Sequence, residues 1–304
     1  MNARPFTYVW LKIATFAVPP TVCAISALAE VAMPESDPAA PLRDRYVALS
    51  EQLEQSPLQP GLYLESVESS RASEGDVYAI VDYSFASVSD SLASPANWCE
   101  ALILHINVKY CHAVQRGERT VLSVAIGKKI DQPLSETYRV EFAYSVTSLG
   151  EDYMKVDLDA RKGPLGTRNY RIELESTALD GERAFLHIRY SYTYGFMARF
   201  AMRVYLATSG HGKVGFTMIS SGNSTPPHFI GGVRGALERN IMRYYLAIDA
   251  YLGALAAPAP QQFEESLERW FMATERYAVQ LHEVDHDAYV TMKRREYLRQ
   301  QTSP

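Results

Sequence analysis

From residue 62 to residue 194 the chain alternates apolar and polar side chains with a period of two, and this limits its fold more than any other feature. Tyr138, Val140, Phe142 and Tyr144 oppose Arg139 and Glu141. Met154, Val156 and Leu158 oppose Lys155, Asp157 and Asp159, and Tyr170, Ile172 and Leu174 oppose Arg171, Glu173 and Glu175. Successive side chains of a strand point to opposite faces, so each such run buries one face and wets the other. The pattern predicts strands over 62–67, 77–84, 104–112, 120–126, 138–146, 153–159, 169–176, 185–194 and 214–219. Asp180-Gly181 is a strong two-residue hairpin signal. Arg116-Gly117, Gly150-Glu151 and 163–166 (Gly-Pro-Leu-Gly) punctuate the neighbouring runs. Hairpins in succession build an antiparallel meander, not a parallel sheet.

The buried face of such a sheet needs a cover. Leu42, Tyr46, Leu49 and Leu53 fall at helical spacing and predict one short helix. The stretch 87–103 reads as two short helices joined at Pro95. A further short helix, 196–207, sets Phe196, Phe200 and Val204 in register with Arg199 and Arg203 between them. The longest, 233–255, carries the stripe Val233, Leu237, Ile241, Tyr244, Ile248 and Tyr251, with Asn240 on or beside it. A helical segment from 263 to about 298 ends the chain. The fold class expected is α+β.

The run 78–85 (Tyr-Ala-Ile-Val-Asp-Tyr-Ser-Phe), then 88–98 ending Ser-Pro-Ala-Asn-Trp, then the long helix at 231–255, resembles the START-like helix-grip superfamily, the SRPBCC or polyketide cyclase-like proteins. The resemblance covers roughly 75–255. It implies a curved antiparallel meander wrapped around the long C-terminal helix, with an apolar cavity between them. Members mostly bind sterols, phospholipids, polyketides or other hydrophobic ligands, and some catalyse cyclisation there. The added helical extension and the N-terminal segments depart from the family pattern. The expected organisation is a signal peptide (1–29), a linker with a short helix (30–60), a helix-grip domain (61–257) and a C-terminal helical extension (258–304).

Phase on the strands and helix assigns the cavity candidates: Tyr138, Phe142, Tyr144, Tyr170, Tyr190, Tyr192 and Tyr194 from the sheet, and Asn240 and Tyr244 from the helix. A tyrosine has an apolar body and a hydroxyl that needs a partner when buried. Such a set either binds an amphipathic ligand or fills the core and bonds to backbone.

At the N-terminus, Arg4 and Lys12 precede an apolar stretch that ends in Ala27-Leu28-Ala29, the pattern of a cleaved secretory signal. Pro19-Pro20 and the short apolar run argue against a membrane span, and bulky Val22 argues against lipidation at Cys23. A secreted or periplasmic location follows. Cys99 and Cys111 then either pair in an oxidising compartment or stay as buried thiols.

The motifs offer little chemistry. Residues 282–286, His-Glu-Val-Asp-His, would on a helix set two zinc-binding imidazoles on one face with Glu283 as base. Charged Asp285 and Asp287, and only Glu296 downstream as a third ligand, argue against a peptidase. Gly210, Gly212 and Gly215 match G-x-G-x-x-G, but a helix precedes them and a strand is expected after, the reverse of a dinucleotide site. His105 and His187 sit out of phase with the apolar positions of their strands, where a histidine either orients a ligand or, more commonly, faces solvent or is satisfied by neighbours. No catalytic constellation and no cofactor is expected. With 30 Lys+Arg against 35 Asp+Glu, there is no basic excess for nucleic acid. The function expected is a binding or carrier protein for a lipid or other hydrophobic small molecule, and residues 196–206 either pack on the sheet edge with their arginines solvated, the commoner case, or serve as a lid or transient membrane contact. The rival functions are a cavity-based cyclase or hydrolase, an interaction module, and the zinc peptidase.

Overall fold

The computed structural model describes Met1, Thr7 and residues 37–208, 212–219 and 228–302. The chain divides into two units, Met1–Ser36 and Asp37–Pro304, and the fold below is that of the second. Apart from Met1 and Thr7, the expected signal peptide lies outside the described residues, as do Gly210 and His211.

Alternation produces the strands β1 (Leu62–Glu68), β2 (Ala72–Val81), β3 (Val108–Arg116), β4 (Arg119–Ile126), β5 (Tyr138–Leu149), β6 (Tyr153–Lys162), β7 (Arg168–Ala178) and β8 (Ala184–Thr193). They form one antiparallel sheet in the order β1-β2-β8-β7-β6-β5-β4-β3. The helices are α1 (Ala40–Ala48), α2 (Ser50–Glu54), α3 (Phe85–Leu92), α4 (Pro95–Leu102), α5 (Phe196–Thr208), α6 (Gly232–Ala254), α7 (Gln262–Glu275), α8 (Ala278–Leu281) and α9 (His286–Thr302). After the β1–β2 hairpin the chain crosses through α3 and α4 to the far edge, then returns strand by strand until β8 pairs with β2. Register shifts at Val108/Tyr110, Val146/Ser148 and Arg168/Arg171 bend the strands where extra residues enter the ladder.

The segment 214–219 is not a strand. Met218 makes one bridge to Phe229, while the amides of Phe216 and Thr217 donate to the Glu238 carboxylate on α6. A side chain on the helix takes the backbone donors that a neighbouring strand would otherwise have satisfied.

The inner face of the sheet carries Val77, Leu174, Ile188, Val156, Leu158 and Phe142 into one core with Leu237, Ile241 and Ile248 of α6. Gly75 permits the close approach: a Cβ there would lie 3.3 Å from the Leu237 side chain. The predicted stripe on α6 is buried, with Tyr251 partly so, but Met242, Tyr245 and Leu246 on its other side are buried too. The extension supplies that second cover, since Leu267 and Trp270 of α7 and Tyr289 and Met292 of α9 join the same core. A helix buried around most of its girth is what a sheet on one side and helices on the other require. The outer face is not wholly wet either. Leu42, Leu49 and Leu53 of the N-terminal segment pack on Tyr78, Tyr153 and Phe185 there.

Trp98 of α4 is fully buried, and its indole nitrogen donates to the Leu92 carbonyl at 2.7 Å. Beside it, Cys99 and Cys111 form a disulfide that ties the crossover helix to edge strand β3. Closing a loop of this size constrains the unfolded chain by about 3 kcal/mol. The Cys99→Ser, Cys111→Ser protein is therefore expected to lose about that much stability in urea unfolding. An unchanged midpoint would show that the bond carries no folding energy.

Candidate ligand-binding site

Tyr190 and Tyr192 follow one another along the inner face of β8, Tyr194 lies just past its end, and Tyr170 of β7 stands beside them. Their ring centroids lie 5.2 Å apart for Tyr170–Tyr192, 5.6 Å for Tyr190–Tyr192 and 5.9 Å for both Tyr170–Tyr190 and Tyr192–Tyr194. Tyr170 depends on a glycine: a Cβ on Gly163 would fall 2.1 Å from its ring. From α6, Tyr244 meets Tyr190 edge-on at 5.4 Å, and His105 lies 4.7 Å beyond Tyr244. A row of rings thus runs from Tyr194 to His105 between sheet and helix.

The hydroxyls along this row are not treated alike. Tyr194 donates towards the carbonyls of Ser69 and Ala72 at 3.0 and 3.2 Å, and the Tyr170 hydroxyl bonds that of Thr167 at 2.7 Å. Tyr144, half-buried on β5, donates to the Leu92 carbonyl at 3.3 Å. Burial raises the Tyr190 and Tyr244 hydroxyls well above the ordinary tyrosine range, so both stay protonated donors.

The other candidates divide. Phe142 is buried in the core, and Asn240 is half-buried on α6. Tyr138 is a correction. It has the inward phase of Val140 and Phe142 but opens β5 at the margin of the sheet, where no helix covers it, and it is 54% exposed.

The sheet bends around α6, and the rings lie in the grip. This is a helix-grip fold. It is the fold that the START-like resemblance implies, with its first cover on the inner face. No protein-family model and no curated protein matches the chain. Among solved structures the helix grip is similar to a conserved protein from Geobacillus kaustophilus, at 13% identity over 59% of this chain and 95% of that one, with a TM-score of 0.35. It is also similar to norcoclaurine synthase from Thalictrum flavum (13%, 50% and 81%, TM-score 0.32) and to human StAR-related lipid transfer protein 5 (12%, 56% and 90%, TM-score 0.30).

Two clefts open outside the grip. One, of about 630 Å³, lies between α4, α6, α7 and α9 and is lined by Glu100, Tyr251, Phe263 and Tyr297 among others. A second, of about 400 Å³, adjoins the disulfide. None of the cavity candidates lines either one. The tyrosines pack on one another instead.

The histidines fare differently. His187 is the satisfied histidine of the expected alternatives, buried on the outer face of the sheet. Its Nε2 lies 2.7 Å from Asp76 and its Nδ1 2.9 Å from Glu175. Burial alone would raise the Glu175 carboxyl, but hydrogen bonds from His187 and Tyr153 and the charge of Lys155 outweigh it, bringing it down to about 2. The group is a closed ion network with its back to the tyrosine row.

His105 precedes β3 rather than lying within it, and is 2% exposed. Its Nδ1 accepts the Asn107 amide proton at 3.1 Å, which leaves the ring proton on Nε2, and buried Nε2 has no partner. Desolvation, then the charges of Arg243, Lys293, Lys129 and Lys109, hold the ring well below the usual histidine range, so it is neutral.

The H-E-x-x-H stretch is not helical throughout. His282 caps α8, residues 283–285 form a bend, and His286 opens α9. His282 pairs with Glu275 and His286 with Glu268, so the two rings do not share a helix face. Among the described residues no cluster suited to a metal ion occurs. Glu283 instead receives Arg243 at 2.7 Å, Lys213 at 3.3 Å and Lys129.

Proposed function

We propose that the protein is a secreted or periplasmic carrier that holds a lipid or other hydrophobic small molecule between the sheet and α6, along the ring row from Tyr194 to Tyr244. The observation that carries this reading is the row of rings between sheet and helix, which ends beside two buried donors without partners, His105 Nε2 and Arg243 Nε. A buried donor left unpaired costs about 1–3 kcal/mol. A guest with an acceptor above an apolar body would recover that cost. The sequence pattern of residues 1–29 and the Cys99–Cys111 disulfide support the oxidising compartment.

Helix α5 supports a membrane-contacting entrance. Ala198 and Met202 face the core, while Phe196, Met197 and Phe200 are 83%, 73% and 58% exposed. The helix carries Arg199 and Arg203 and no acidic residue. Apolar bulk with interleaved arginine suits an anionic headgroup boundary.

Native mass spectrometry with oleyl alcohol tests the carrier reading. A one-to-one adduct is expected, and it should vanish in Tyr244→Trp, whose larger ring crowds Tyr190 and His105. No adduct on the wild-type protein would overturn it. For the entrance, the Met197→Asp, Phe200→Asp protein should bind phosphatidylglycerol vesicles at least about tenfold more weakly while still taking up oleyl alcohol. Undiminished vesicle binding would remove α5 from that role.

A further inference from the structure

At the His105 end of the row, hydrogen-bond donors and positive charge exceed what the protein supplies to answer them. Arg243 is 2% exposed, and its Nη2 donates to the Leu281 carbonyl and to Glu283, but its buried Nε has no partner. His105 Nε2–H is a second buried donor without an acceptor. The His105 ring packs on Tyr244, and Arg243 precedes Tyr244 on α6. Among the described residues, Arg243, Lys129 and Lys213 share Glu283 as their carboxylate. Lys213 spends another bond on the His282 carbonyl at 2.7 Å. Buried polar atoms are normally paired, and buried charge is normally balanced. Here donors are left over on one side and positive charge on the other, around one end of an apolar row.

We propose that His105, Arg243, Lys129 and Lys213 form a subsite for an anionic oxygen group, a carboxylate or a phosphate. Resting on the carrier reading above, this makes the ligand an amphiphile with an acidic head. Its apolar body lies along Tyr244, Tyr190 and Tyr192, and its head accepts from His105 Nε2 and Arg243 Nε. The lysines, about 30% exposed, supply the charge from the solvent side. Burial and the Arg243 charge bring the Lys129 ammonium down to about 8, so an arriving anion would restore its affinity for the proton. The sequence contained no sign of this arrangement, because its residues come from the β3 entry, the β4–β5 connection, the segment 212–219 and α6.

Titration with oleate, oleyl alcohol and inorganic phosphate tests the subsite. Oleate should bind at least about tenfold more tightly than the alcohol of equal chain length, in line with a charge-assisted pair. That preference, the ratio of acid to alcohol affinity, should collapse in Arg243→Met and shrink in Lys129→Gln. Lys129 is partly exposed, so its variant serves if Arg243→Met does not fold. Equal binding of acid and alcohol would overturn the anionic subsite and leave the carrier reading standing. An acid preference that survives both substitutions would overturn the assignment to these residues. Phosphate binding that is lost in both variants, with neither amphiphile bound, would keep the subsite, identify a free anion as its occupant and overturn the carrier reading. Binding of none of the three would overturn both.

Discussion

Replacing Glu296 with alanine is expected to destabilise the protein by about 3–5 kcal/mol, the cost of leaving buried charge unpaired. In a chain of this size that is roughly a 10 °C fall in Tm. Glu296 on α9 is fully buried between two fully buried lysines, Lys109 at 2.9 Å and Lys293 at 2.7 Å. Lys293 also donates to the carbonyls of His105 and Val108 at 2.8 Å, and Lys109 to that of Ile106 at 3.0 Å. These bonds hold the extension against the start of β3. Without the carboxylate, two ammonium groups would face each other out of water. Desolvation, with the Lys109 charge adding to it, already brings Lys293 down to about 8 despite Glu296. Its folded pKa lies below its unfolded value near 10.5, so its protonated form costs stability, and folding is favoured as pH rises from about 8. The deficit of Glu296→Ala should therefore be smaller at pH 9 than at pH 7 in thermal unfolding. A pH-independent deficit would contradict the charge argument. Substituting the three by Met, Met and Leu should recover most of the loss.

Glu238→Ala should free the segment around Phe216 from the grip helix. Its buried carboxylate accepts from Ser66 Oγ at 2.5 Å, the amides of Phe216 and Thr217 at 2.6 and 2.9 Å, and Thr217 Oγ1 at 2.7 Å. Bonds to a charged acceptor contribute about 1.5–3 kcal/mol each, so losing the set should cost at least about 3 kcal/mol locally. Hydrogen exchange is the measurement: the Phe216 and Thr217 amides should lose protection while those of the β6–β7 ladder keep theirs. Persistent protection at both amides would show that packing alone holds the segment.

Some of this was legible in one dimension and some was not. The alternation of Val140 and Phe142, or of Ile172 and Leu174, reports burial directly, and the eight strands follow from it. The break at Pro95 and the length of α6 are equally local signals. The segment 214–219 alternates as well, yet the amides of Phe216 and Thr217 go to Glu238, a partner that no strand pattern reveals, and its backbone–backbone bonds among the described residues reach only residues 228 and 230. Tyr138 has the right phase at the wrong place, since phase says which face a residue takes and not how far the cover extends. The pairing of Lys109 with Glu296, or of Arg243 with Glu283, joins segments far apart in sequence. Charges at such positions read as surface until the fold brings their partners to them. The burial of His187 was hidden for a related reason, because Leu42, Leu49 and Leu53 gave no sign of which sheet face they would cover. For the site, the aromatic row was visible as Tyr190, Tyr192 and Tyr194, but the leftover donors at His105 and Arg243 were not.

The pairing of β2 with β8 also bears on how the chain reaches this structure. Its partners, from Ala72↔Thr193 to Val81↔Ala184, lie more than a hundred residues apart. Contacts of such separation must bear their loop-closure entropy before they return any stability, which slows the search. The β1–β2 hairpin can form as soon as it emerges, yet one side of β2 stays open until nearly two thirds of the chain has been made. An open strand edge is a template for pairing with another molecule. Nascent chains that have not yet reached β8 are therefore the species most exposed to aggregation, and the stage at which a chaperone would have most to do.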